Sequence, residues 1–333
     1  MLSWWLFSVN LLFMRILLTT TSYQDTPGPH HALLESSGFD IVRARGPLPE
    51  SELLRLFGEA EFDGILNGDD RITSAVIDAA MPRLKVISKY GIGLDAIDVE
   101  YATSKRLPVL FTPGVNHTTV AEHAFGLMIA LSKHFWPMMR QVKIGDWHRQ
   151  TGHELFGKTV GVLGMGRVGK EVVKRAAAFG MIAVGFDLVW DDIFAEQFKV
   201  KRYSKPEQVL AESDIISLHM NLTEETQHFI NADRLALMKN GAILVNTARG
   251  GLVVEADVAE ACRSGSLAGY GTDVLDLEPI QPPHEFQNLD NVIITPHVGS
   301  RTFESVERQA LRATANLINF LNGKKDYLQA NEW

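Results

Sequence analysis

One stretch constrains this chain more than any other: Lys158 to Asp187, KTVGVLGMGRVGKEVVKRAAAFGMIAVGFD. Thr159 to Leu163 is a short apolar, β-branched run suited to a strand buried on both faces, and Gly164, Gly166 and Gly169 follow at once. The spacing then predicts a helix from Arg167 to Phe179, with Val168, Val172, Val173, Ala176 and Phe179 on one face and Gly180 at its C-terminal cap. Met181 to Phe186 reads as the next strand and ends on Asp187.

Each residue type in that stretch has a physical reason. Gly164 permits a tight strand-to-helix turn, Gly166 lets a pyrophosphate approach the backbone, and Gly169 lets helix and strand pack closely. The exposed amides and positive end of the helix favour phosphate. Asp187 stands eighteen residues past Gly169, placed to accept hydrogen bonds from both ribose hydroxyls and to repel the 2′-phosphate of NADP. No Arg follows within Leu188 to Asp192, so the reading is NAD. A bare GxGxxG is weak evidence, and the flanking strand, helix and acid give it its weight.

At 333 residues the chain exceeds one ordinary core, which predicts two domains. A net charge of -8 with no basic run argues against nucleic acid. Cys262, the only cysteine, rules out a disulfide framework and a Cys-based zinc site and fits a reducing cytoplasm. The apolar start, MLSWWLFSVNLLF, has no preceding basic residue and no small-residue cleavage site, and it is short for a membrane span. Met14 opens a convincing strand, MRILLTT, so residues 1–13 read as an extension or a start codon placed too early, with no need of ordered structure.

From Arg15 to Leu110 strands are predicted at Ile16–Thr19, Ile41–Arg43, Gly64–Leu66, Lys85–Ser88 and Val109–Phe111. Helices fall near Pro29–Ser37, Glu50–Glu59, Ser74–Ala80 and Val99–Ser104. Such alternation means parallel strands with crossover helices. Within it, SKYGIGLDAID places Gly91 and Gly93 directly after a strand, where exposed amides can hold a carboxylate or simply make a tight turn. Next, Val120, Ala124, Leu127, Met128 and Leu131 form a long apolar stripe. It predicts a helix that crosses between domains or packs on another subunit, with Glu122 and His123 in structural roles. The His-Glu pairs at His153 and His284 lack the second His of a zincin, and no metal site is expected.

After the glycine turn, strands at Ile215–His219, Ala242–Asn246, Leu267–Thr272 and Val292–Thr295, with helices near Pro206–Glu212, Asn231–Met238 and Glu255–Ser264, complete a doubly wound nucleotide domain. A last helical stripe, Phe303, Val306, Ala310, Ala313, Leu317 and Leu321, is expected to return to the first domain, leaving a cleft between two lobes. Arg249, Glu278 and His297 each follow a strand end in the second half, where ligands bind in open α/β sheets. An arginine can clamp a carboxylate, a histidine can pass a proton, and a glutamate can orient that histidine. Separately each has a plainer reading: a helix cap, a solvated loop charge, a satisfied core histidine. Together, beside a hydride carrier, they point to chemistry.

These stretches, with SKYGIGLDAID, TPGVNHTTVAEHAFGLMIAL, GKTVGVLGMGRVGKEV, LVNTARGGLVVEADVAEA, GTDVLDLEP and TPHVGS, resemble the D-isomer-specific 2-hydroxyacid dehydrogenases from Met14 onward, and among them the D-3-phosphoglycerate dehydrogenases most. The resemblance implies that Arg249 binds the substrate carboxylate and carbonyl, that His297 is the acid/base and that Glu278 pairs with it. It implies substrate contacts at Lys89, Tyr90, Gly91, Ile92 and Gly93. It also implies cofactor contacts at Gly164, Met165, Gly166, Arg167, Val168, Gly169, Asp187, Thr247, Asp273 and Gly299. The long helix from Thr118 would then belong to a homodimer interface.

Two departures stand out: Asn221 where the family usually has proline, and Lys89 where it often has arginine, a point charge replacing a fork. Arg71, Lys89 and Arg149 are the candidates for holding a substrate phosphate. The expected fold class is α/β, with a Rossmann-type NAD-binding domain, 113–296, inserted in a flavodoxin-like parallel substrate domain, 14–112 and 297–333. The expected function is an NAD-dependent oxidoreductase of a small D-2-hydroxy acid, cytoplasmic and dimeric. Neither a nucleic acid nor a membrane is expected as partner. The leading substrate is 3-phosphoglycerate, as in serine biosynthesis; glyoxylate or hydroxypyruvate reduction is the alternative within the class, and an NAD-sensing corepressor-like protein the alternative outside it.

Overall fold

A computed structural model describes residues 14–333, so the apolar N-terminal segment lies outside the described residues. The chain divides into two compact units: residues up to Asn116 together with Arg301–Trp333, and His117–Ser300.

The first unit holds five parallel strands, β1 (Arg15–Leu18), β2 (Asp40–Arg43), β3 (Gly64–Asn67), β4 (Val86–Lys89) and β5 (Val109–Leu110), in the order β2-β1-β3-β4-β5. Alternation along the strands supplies two cores. Leu17, Ile65, Ile87 and Val109 face Leu53, Phe57, Val76 and Ile77 of the crossover helices on one side. Ile16, Leu18, Leu66, Val86 and Leu110 meet Val306, Ala310, Ala313 and Leu317 on the other. Burying a Leu or Ile of this kind contributes roughly 1.5–3 kcal/mol, so the helix Phe303–Leu321 is integral to this unit despite its distance in sequence. Thr302 caps that helix by accepting from Ser305 N.

The second unit holds seven parallel strands, β6 (Thr159–Leu163), β7 (Ile182–Phe186), β8 (Lys201–Arg202), β9 (Ile215–Leu218), β10 (Ala242–Asn246), β11 (Leu267–Thr272) and β12 (Val292–Ile294). Their order, β12-β11-β10-β9-β6-β7-β8, reverses direction between β6 and β9, the switch point at which such sheets bind ligands. The helix His117–Ser132 accounts for its own apolarity here. Ala121, Ala124, Phe125, Leu127, Met128 and Leu131 are buried against β10, β11 and the helix Arg167–Ala178. Gly269 and Gly271 make room for this, because a Cβ on either would stand 2.9 Å from Leu131 Cδ2 or 3.0 Å from Leu127 Cβ. The expectation that this stripe crosses domains or faces another subunit is therefore corrected: it fills its own unit's core.

Two further differences have local causes. The unit boundaries fall four residues beyond those read from the sequence, at Asn116/His117 and Ser300/Arg301, which places His297 in the nucleotide unit. The reason is that residues 297–299 are tied back to Asp273, just past β11. The helix expected at Asn231–Met238 shortens to Ala232–Leu235, and three helices, Thr21–Asp25, Phe135–Lys143 and Asp192–Phe198, escaped the pattern. Phe135–Lys143 buries none of its residues, so its apolar positions point to no core of the chain's own.

Candidate active site

The glycine turn behaves as its composition requires. Gly164 has φ 98°, and a Cβ there would stand 2.5 Å from the backbone of His219; a Cβ on Gly169 would collide with the carbonyl of Gly164. Around Gly166, by contrast, a Cβ would meet nothing within 4 Å, so the turn is open where a ligand's phosphates would come. Gly166 is also the N-cap of the helix Arg167–Ala178 and has no side chain to cap it, leaving first-turn amides for an anion. Asp187 is fixed over this turn: Met165 N donates to Oδ2 at 2.5 Å and Val189 N to Oδ1 at 2.9 Å. Beside it lies a cavity of about 420 Å³ lined by Phe186, Asp187, Arg202, Tyr203, Ser204 and Gln208. Farther along the strand ends, Thr247 Oγ1 is enclosed with no protein partner, as a hydroxyl kept for a ligand would be. An open glycine turn, an acid at the end of β7, a cavity and a spare hydroxyl fit an adenine dinucleotide.

The titratable side chains converge on three adjacent strands. Arg249 lies three residues past the end of β10, Glu278 in the loop after β11, and His297 three residues past β12. Because the strands are parallel, all three stand at the same carboxyl edge. His297 Nδ1 is 2.7 Å from Glu278 Oε2, while Glu278 Oε1 accepts from Leu275 N at 2.9 Å, so the carboxylate is held at both oxygens. A carboxylate partner requires the proton on Nδ1, which leaves Nε2 with the lone pair that exchanges protons. The imidazole remains reachable, with 38% of its side-chain surface exposed.

His297 has φ 51°, a left-handed conformation that costs a non-glycine residue about 1 kcal/mol or more and persists only where its surroundings hold it. Asp273 supplies that hold. Its carbonyl accepts from His297 N at 2.9 Å, Oδ1 from Thr295 Oγ1 at 2.6 Å and Val298 N at 2.8 Å, and Oδ2 from Gly299 N at 2.7 Å. The resemblance implied cofactor contacts for Asp273 and Gly299; the Asp273 carboxylate and the Gly299 amide hold the histidine loop as well. His123 Nε2 adds to the clamp at 2.8 Å from Thr295 Oγ1, and Glu122 pairs with Arg175.

Arg249 is set by neighbours that sequence reasoning passed over. Asn246 at the end of β10 donates from Nδ2 to Arg249 O at 2.8 Å and accepts from Ala248 N at 3.0 Å. Gly250 then lies against the backbone of Leu275, where any Cβ would collide, which joins the arginine loop to the loop that carries Glu278. The readable signals were a buried Asn closing an apolar strand and a glycine directly after the arginine.

In the first unit, Lys89 closes β4 and is 2% exposed; its Nζ donates to Asp69 Oδ1 at 2.6 Å and to Gly68 O at 2.5 Å. Tyr90 is buried in the apolar core, where burial pushes its phenol up to about 12, so its side chain is scaffold rather than the substrate contact expected. Gly91 has φ 127°, and its amide donates to Thr112 Oγ1 at 2.9 Å. That amide is therefore already partnered within its own unit. Arg71 and Arg149 are both exposed.

No helix among the described residues is long and apolar enough to cross a membrane. Residues 125–299 match the family model of the D-isomer specific 2-hydroxyacid dehydrogenase NAD binding domain. A hydroxypyruvate reductase of Thermotoga maritima is 39% identical over 280 residues, covering 82% of this chain and 89% of that protein. A D-3-phosphoglycerate dehydrogenase of Methanocaldococcus jannaschii is 37% identical over 93% of this chain, which spans only 58% of that protein's length. Among solved structures, D-lactate dehydrogenase from Aquifex aeolicus, complexed with NAD and lactic acid, is 30% identical with a TM-score of 0.81, over 92% of this chain and 96% of that one. Sequence, sheet order and site agree: the chain belongs to the D-isomer specific 2-hydroxyacid dehydrogenase family and is an NAD-dependent dehydrogenase of D-2-hydroxy acids.

Proposed function

We propose that the chain reduces a small, unphosphorylated 2-oxo acid of the hydroxypyruvate or glyoxylate kind to its D-2-hydroxy acid. When bound, NADH would supply the hydride for reduction and NAD would take it up in oxidation. His297 Nε2 gives the proton to the carbonyl oxygen in reduction and takes it back in oxidation, while Glu278 fixes the ring and stabilises its charged form. Arg249 clamps the carboxylate and polarises the neighbouring carbonyl.

One observation carries the choice of acid. Of the three candidate cations for a substrate phosphate, Arg71, Lys89 and Arg149, the buried one, Lys89, is already paired with Asp69, and that carboxylate repels a phosphate dianion. The match to a hydroxypyruvate reductase over 82% of this chain and 89% of that protein supports the same reading. A second reading, 3-phosphoglycerate oxidation in serine biosynthesis, is favoured by the match to a phosphoglycerate dehydrogenase over 93% of this chain. NADH consumption against glyoxylate, hydroxypyruvate and phosphohydroxypyruvate separates the two. The unphosphorylated acids are expected to lead in kcat/KM by about tenfold or more, equivalent to about 1.4 kcal/mol; a lead for the phosphorylated acid overturns the proposal.

The homodimer is proposed on a different surface from the one first expected. On the helix Phe135–Lys143, Phe135, Met139 and Val142 recur at helical spacing and are 45%, 55% and 47% exposed; beyond it Ile144, Trp147 and Phe156 are also exposed. So much exposed apolar surface suits an isologous contact with a second copy. Light scattering is expected to give twice the 37.0 kDa chain mass, and Trp147→Asp to shift the protein towards monomer. A monomeric wild type removes this part of the reading.

A further inference from the structure

Glu278 stands in a loop with no core of its own. Between β11 and β12 the residues Asp276 to Pro283 are all exposed, and the nearest buried residues on either side are Leu275 and Phe286. Apolar packing therefore fixes the ends of the loop and not the carboxylate in its middle. A second carboxylate does what packing does not. Glu255 opens the helix Glu255–Ser264, six residues past Arg249, and meets the loop at two points. Its Oε1 accepts from Asp276 N at 3.0 Å, and its Oε2 lies 3.3 Å from His284 Nε2. The Phe286 amide donates to the other ring nitrogen, Nδ1, at 3.3 Å, which leaves the ring's proton on Nε2, facing Glu255. Asp276 and His284 bracket Glu278 in sequence. Successive amides thus go to two carboxylates, Leu275 N to Glu278 and Asp276 N to Glu255, and Gly250 packs on the same peptide.

We propose that Glu255 and His284 are positioning residues for the proton exchange at His297: they hold the loop so that Glu278 meets Nδ1 of that ring. The inference rests on the reading of His297 as the acid/base. Glu278 gives one oxygen to His297 and the other to Leu275 N, so its place follows the Leu275–Asp276 peptide. Glu255 fixes that peptide and, through His284, the return of the loop towards β12. Without Glu255 the Asp276 amide and the His284 ring proton lose their acceptor together. The turn is then free to shift, and a hydrogen bond weakens steeply with small displacements. His297 would keep its ring and lose its orientation. Because Gly250 lies against the same peptide, the loop of Arg249 and that of Glu278 are set by one device.

Steady-state kinetics on the full chain, with NADH affinity measured on the same samples, test this. Glu255→Ala is expected to lower kcat by about 10- to 100-fold, the cost of a small misplacement at a reacting group, while NADH affinity is kept. The loss should vanish in Glu255→Ala/Glu278→Gln compared with Glu278→Gln, because no carboxylate is left to place. His284 separates the two contacts of its ring. Gln puts an amide nitrogen near the place of Nε2 and keeps a donor for Glu255; Asn puts an oxygen near the place of Nδ1 and keeps an acceptor for Phe286. His284→Gln should retain kcat and His284→Asn should lose it. A ring that only folds its own turn gives the reverse order. Should Glu255→Ala fail to bind NADH, the two His284 variants decide. Full turnover in Glu278→Gln overturns the reading beneath the inference, and the inference with it. A slow Glu278→Gln beside a fully active Glu255→Ala, losses that multiply in the double variant, or the reverse order at His284 overturns the inference alone.

Discussion

Replacing His297 with Asn is expected to lower kcat by about 10²–10⁴-fold, the usual contribution of a positioned proton donor and acceptor, while affinity for NADH stays as in wild type. Asn is the informative replacement because it tolerates the left-handed backbone found at this position, φ 51°, without a new strain. The loop should also survive it. Backbone groups of residues 297–299 and the hydroxyl of Thr295 bind Asp273, so the imidazole itself is not what holds the turn. A loss of rate in His297→Asn can then be assigned to the missing proton exchange rather than to a collapsed loop. Steady-state kinetics with a binding measurement on the same sample would decide the matter. Unchanged turnover would remove His297 from the mechanism and leave Glu278 with a merely local role.

Arg249→Lys is expected to lower kcat/KM for the 2-oxo acid by about 10- to 150-fold, the equivalent of a lost charge-assisted hydrogen bond of about 1.5–3 kcal/mol. Lysine keeps the charge but not the fork, so a carboxylate loses its second contact and the carbonyl beside it loses its orientation. Both KM and kcat should change, because the clamp acts on the bound acid and on the developing alkoxide alike. Cofactor affinity should not, since the dinucleotide features of this unit, the turn at Gly164 to Gly169 and Asp187, lie on β6 and β7. Normal kinetics in this variant would place the substrate's carboxylate elsewhere.

Much of this was readable in advance where one physical demand acts on consecutive residues. Burial on both faces of a parallel sheet imposes apolar runs, so β6, β10 and β11 begin and end where the sequence alone put them. The glycine turn was equally plain, because a backbone conformation, an open approach and a close packing contact each forbid a side chain. What could not be read is distributed across the chain. That Asp273 serves the histidine loop depends on two strand ends lying side by side, which no spacing reports. That the amide of Gly91 is consumed depends on Thr112, and that Lys89 is neutralised depends on Asp69. β8 contributes two exposed, charged residues to an edge, so no hydrophobic pattern marks it, and Arg202 went unnoticed with it. The stripe on His117–Ser132 was legible as a stripe but not in its destination, because periodicity gives the face of a helix and not what covers it.

The first unit is written in two pieces, with the whole of the second between them, and this orders events at the ribosome. Residues 117–300 are contiguous and can settle as soon as they emerge. The earlier-made sheet must wait: until the helix Phe303–Leu321 emerges, the outward sides of Ile16, Leu18, Leu66 and Val86 have only Tyr23, Leu34 and their neighbours to cover them. The segment synthesised first is thus the last to be finished. The nascent chain carries a half-covered apolar sheet throughout synthesis of the nucleotide unit, which makes that interval the point at which chaperones have most to protect.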